Sequence, residues 1–153
     1  MELAELLHES SSQILEGAVE AMERSHLSNY ELAGREQVHQ RLKALLVLTT
    51  RAVKERNLGP MIAYADSIAR ERYAAGFDLS EVQTAFNVLE EAIWTRIVHT
   101  LPPADFGEAL GLVSTVLGAG KDALARTYVT LASKARTGSL NLQSLFSGTE
   151  SGL

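Results

Sequence analysis

Cysteine is absent from the 153-residue sequence. Disulfides and thiolate chemistry are therefore excluded, and a reducing compartment, the cytoplasm, is the expected location. No long apolar run occurs either. The uncharged, largely apolar stretch Ala109 to Gly120 falls short of the ~20 residues needed to cross a bilayer. The N-terminus, Met-Glu-Leu-Ala-Glu-Leu-Leu-His-Glu, lacks the basic region and apolar run of a signal peptide. No membrane association is expected. Positive charge is also scarce: the net charge is −5, and the basic residues have no interleaved aromatics, which argues against a nucleic-acid partner. Missing too are a G-x-S-x-G elbow, a phosphate-cradling glycine loop and an H-x-E with paired cysteines, so the sequence reads as non-enzymatic.

What is present is an ordinary globular composition, 46% hydrophobic and 22% charged. The length suits one domain that buries roughly 70% of its unfolded surface. No segment reads as a strand. The pattern predicts an all-α, single-domain bundle of about five helices, compatible with a globin-like arrangement, over residues 1–135, followed by a flexible tail over 136–153. The first helix is expected from Leu3 to Arg24, interrupted at Ser10–Ser12; the second from Glu31 to Arg56; the third from Pro60, where proline suits a first turn. Pro102-Pro103 stops the fourth, and Asp105 with Glu108 suggests a capped start to the fifth.

The segment Gly76 to Leu101 is the most informative. Gly76 can take the left-handed conformation that ends a helix, and Asp78 with Glu81 forms a capping-box pattern at the next start. Leu79, Val82, Phe86, Leu89, Ile93, Ile97 and Leu101 then recur at steps of three and four, while Ala85, Val88, Ala92 and Trp94 widen the stripe. That breadth places the fourth helix at the centre of a bundle and leaves Glu81, Glu90, Glu91, Arg96 and His99 for solvent or a partner.

In the fifth helix, Gly107, Gly111, Ser114 and Gly118 fall at steps of four, three and four. Each glycine costs ~1 kcal/mol of helix propensity relative to alanine, so something must offset three of them. Close helix approach inside the fold, a subunit interface and a small-molecule pocket are the alternatives. In the tail, Leu140, Leu142, Leu145 and Phe146 form an apolar island suited to docking on its own domain or on a partner.

Charge is unevenly spread. Residues 1–24 carry six glutamates against Arg24, and residues 35–56 carry Arg35, Arg41, Lys43, Arg51, Lys54 and Arg56 against Glu36 and Glu55. Complementary faces of neighbouring helices, or a basic surface for an acidic partner, would explain this. Two Glu-x-x-His pairs, Glu5/His8 and Glu36/His39, have di-metal spacing, but in an antiparallel hairpin they lie on the order of 20 Å apart. None of His8, His26, His39 and His99 sits in an apolar stripe as a haem ligand would. No metal and no cofactor is expected.

The run Arg70-Glu-Arg72, Ala-Ala-Gly76-Phe-Asp-Leu79-Ser-Glu81-Val, then Phe86-Asn-Val-Leu89-Glu-Glu-Ala-Ile-Trp94 resembles the RsbRD-type N-terminal domain of RsbR co-antagonist proteins, which act in bacterial stress signalling. The likeness extends over about residues 10–133. It implies an all-α sensor or adaptor domain that dimerises and works through a regulatory protein partner. It also makes Arg70, Arg72, Gly76, Leu79 and Glu81 structural signature positions, with Trp94 on the long aromatic-bearing helix. After Ala135 the sequence shows no output domain, so action in trans on a partner is expected. The alternative reading is a helical sensor that holds a small molecule or tetrapyrrole beside the glycine-lined helix.

Overall fold

A computed structural model describes the backbone of residues 1–151 and the side chains of residues 1–136. Among these residues every regular element is helical. The order is α1 (Leu3–Glu9), α2 (Ser11–Arg24), α3 (Ser28–Ala33), α4 (Arg35–Glu55), α5 (Gly59–Ala74), α6 (Leu79–Thr100), a 3-10 turn (Pro103–Asp105) and α7 (Phe106–Ser151). The all-α single domain is as the sequence implies, with seven helices in place of five.

The two extra helices come from breaks inside expected ones. Ser10 leaves helical geometry at φ −95° and ψ 10°, which separates α1 from α2. Gly34, at φ +87°, separates α3 from α4 in a conformation that glycine alone adopts cheaply. Asp105 lies in the 3-10 turn instead of capping α7, and Glu108 is engaged from the end of α4 by Arg56 at 3.4 Å. The acidic first segment and the basic second meet through the Glu23–Arg35 ion pair.

One continuous core fills the space between the helices. Leu6, Leu7, Ile14, Leu42, Met61, Phe86, Leu89, Ile93, Ile97, Leu117 and Leu124 are its largest fully buried side chains. Helix α6 is buried against α2 on one side and α7 on the other, which is why its apolar stripe is wide. Helix α7 packs most extensively on α5. Gly120 lets α7 approach both α6 and α5: a Cβ there would stand 2.6 Å from Phe86 Cε2 and 3.1 Å from Met61 Sδ.

Gly107, Gly111 and Gly118 behave differently. A Cβ on any of them meets no atom within 4 Å, so none mediates a close approach inside the fold among the described residues. Leu140, Leu142, Leu145 and Phe146 lie outside the described side chains. No described helix is long and apolar enough to cross a membrane.

Candidate functional site

The chain turns sharply between α5 and α6, and that turn builds a polar cluster inside an apolar bundle. Gly76 adopts φ +86°, which reverses the chain and directs Phe77 inward. The Phe77 N–H donates to the carbonyl of Arg72 at 2.9 Å. On the far side, the Phe77 carbonyl accepts the hydroxyl of Tyr128, from α7, at 2.9 Å. Tyr30, on α3, meets the Phe77 ring edge-on with centroids 5.3 Å apart, and Tyr73 meets Tyr128 in the same manner at 5.5 Å.

Two arginines converge on these rings. The guanidinium carbons of Arg41 (α4) and Arg72 (α5) lie 5.6 and 5.7 Å from the centre of Phe77, and Arg41 lies 5.9 Å from the centre of Tyr30. Arg72 is only 6% exposed. A ring face attracts a cation more strongly once water is removed, so Phe77 accommodates charge that the core would otherwise reject. Arg72 also donates from Nη1 to Glu71 at 2.6 Å. Its Nε and the Nη1 of Arg41 are buried without a partner. Burial and then the neighbouring Arg72 push the Arg41 guanidinium below its ordinary pKa. Burial raises the Tyr30 and Tyr64 phenols, and pushes Tyr128 up to about 12.

Glu81 completes the turn. Its Oε1 accepts the Asp78 N–H at 3.1 Å, the capping-box bond read from the sequence, and also the side-chain amide of Asn29 at 2.8 Å. Glu81 is therefore buried, not left for solvent as its position suggested. The structure thus brings Arg72, Gly76 and Glu81 into one junction, with Leu79 half-buried in the first turn of α6. Arg70 stays outside it, on the surface of α5, paired with Asp66 at 3.3 Å. The Thr127 hydroxyl and then Arg70 hold that Asp66 carboxyl below its ordinary range.

The second candidate region lies on the outer side of α6 and α7. Lys121 reaches Asn87 at 3.1 Å and Glu90 at 3.5 Å, which sets the antiparallel register. By that register Trp94 stands about level with Ser114, and Val98 with Gly111. Trp94 continues the Glu90 side of α6 one turn on, and Gly118, Ser114, Gly111 and Gly107 continue the Lys121 side of α7. Trp94 is 41% exposed and Val98 50%, so Trp94 flanks a small-residue ridge instead of widening the core stripe.

Several functional candidates were not singled out in the sequence: Tyr30, Asn29, Arg41, Phe77 and Tyr128. A signal existed for Arg72. Met61, Ala65, Ala69 and Arg72 recur at steps of four, four and three, which places the arginine on the buried face of α5. Arg41 adjoins Leu42 at the border of the α4 stripe, and in the sequence it reads as one of the basic residues of the 35–56 segment. His8, His39, Glu5 and Glu36 are all exposed, and the described residues contain no group of three or more metal-ligating side chains.

An all-helical domain with a polar junction at its α5–α6 turn and an apolar outer face is the class defined by this geometry. The chain belongs to the RsbT co-antagonist protein rsbRD N-terminal domain family, whose model matches residues 12–138. No curated protein and no solved structure matches it.

Proposed function

We propose that this chain is a non-catalytic sensor or adaptor domain of bacterial stress signalling. It acts in the cytoplasm, as a homodimer, on a regulatory protein partner. Family membership over residues 12–138 carries the reading. The outer face of α6 and α7 supports the dimer: Trp94 and Val98 are large apolar side chains left in water beside a helix ridge made of Gly107, Gly111, Ser114 and Gly118. A ridge of small residues admits a second helix closely, and an exposed tryptophan is a typical interface anchor.

Light scattering tests the dimer. The purified protein at micromolar concentration should show twice the 16.6 kDa chain mass, and Gly111→Leu should return it to monomer. Gly111 is exposed and a Cβ there meets no described atom within 4 Å, so the variant should keep its fold, which an unchanged circular-dichroism spectrum checks. A monomeric wild type, or a Gly111→Leu protein that stays dimeric, removes this face from the proposal.

A further inference from the structure

Tyr30, Arg41, Leu42, Tyr64, Arg72 and Phe86, on α3, α4, α5 and α6, enclose a cavity of about 20 Å³. That is space for a body little larger than a water molecule, and too small for a sugar, a nucleotide or a tetrapyrrole. Its polar lining is the guanidinium groups of Arg41 and Arg72 and the phenol hydroxyls of Tyr30 and Tyr64, with no carboxylate among them. Arg72 is buried with Nε unpartnered, and Arg41 brings a buried Nη1 that is also unpartnered. Glu71 pairs with Arg72, but among the described residues no carboxylate lies within ion-pair distance of Arg41. Glu81 is not among the lining residues; its Oε1 accepts from Asn29 and the Asp78 N–H, and its Oε2 is buried without reaching either arginine.

Two guanidinium groups brought together in a largely dry site repel each other, and two buried donors without acceptors are costly. A bound anion removes both penalties. Arginine's planar fork matches a planar oxyanion, which can accept from two guanidinium groups at once. We propose that this junction is a binding site for a small carboxylate-type anion, held between Arg41 and Arg72. The site is separate from the α6/α7 face and does not depend on the dimer.

Formate is the probe, with chloride at matched ionic strength as the control. In 15N–1H spectra of the full-length protein, the arginine Nε–H signals should shift saturably with formate and stay in place with chloride. The melting temperature should rise with formate in parallel. Arg41→Gln keeps a polar side chain at a half-buried position, and it should weaken formate binding about tenfold or more, as expected for loss of a charge-assisted hydrogen bond. A linear, non-saturating shift would overturn the proposal. So would equal responses to chloride and formate, or unchanged binding by a folded Arg41→Gln.

Discussion

Glu81 shows how a single side chain can serve two elements. Its Oε1 caps α6 through the Asp78 N–H and anchors α3 through Asn29. Glu81→Ala removes both bonds and leaves Asn29 without its partner, so urea unfolding should register a loss of about 1–2 kcal/mol. Glu81→Gln keeps an acceptor at the same position and should cost less. Tyr128 gives a second measurement. Burial pushes its phenol up to about 12 against the ordinary value of 10, so the folded state retains a proton that the unfolded chain releases first. This contribution to stability is fully present below pH 10 and is lost as pH rises from 10 through about 12. Stability measured across that range should fall, and Tyr128→Phe should fall less steeply while losing about 1 kcal/mol at neutral pH from the missing bond to Phe77.

At the level of elements, glycine spacing was legible and glycine role was not. The four-three-four recurrence of Gly107, Gly111, Ser114 and Gly118 points to close packing, yet among the described glycines of α7 the one that packs closely is Gly120, outside that recurrence. Periodicity locates a face of a helix; what lies opposite depends on which neighbours the tertiary fold supplies. The two kinds of site should respond with opposite sign. Gly111→Ala has space for its methyl group and improves helix propensity, so the monomeric fold should gain up to ~1 kcal/mol. Gly120→Ala drives a Cβ into the fully buried Phe86 ring and should lose about 1–3 kcal/mol in thermal or urea unfolding. The capped start of α6, by contrast, was readable residue by residue because a capping box is local. The arginine–aromatic junction joins α3, α4, α5 and α7, and no spacing within one helix encodes it. Only the place of Arg72 on an apolar stripe hinted that a charge went inside.

Across the whole molecule, the family match begins at residue 12, whereas the core begins earlier. Leu3, Leu6 and Leu7 of α1 are 9%, 1% and 0% exposed and pack toward α4. Burying a leucine side chain contributes about 1.5–3 kcal/mol relative to exposure, an upper estimate because unfolded chains are partly compact. Removing residues 1–11 should therefore destabilise the domain by on the order of 3 kcal/mol or more, seen as a lower urea midpoint. Retained stability in the truncated protein would show that α1 is an accessory to the bundle.

Helix α7 runs from Phe106 past Arg136 without interruption. The outer ridge ending at Gly118 and the hydroxyl of Tyr128 are ten residues apart on it, roughly 15 Å along its axis. Tyr128 is bonded to the Phe77 carbonyl at 2.9 Å, and the Phe77 ring supports both guanidinium groups. Helix α7 thus carries the proposed subunit face at one station and the tyrosine that braces the arginine pair at the other, on one unbroken run of backbone.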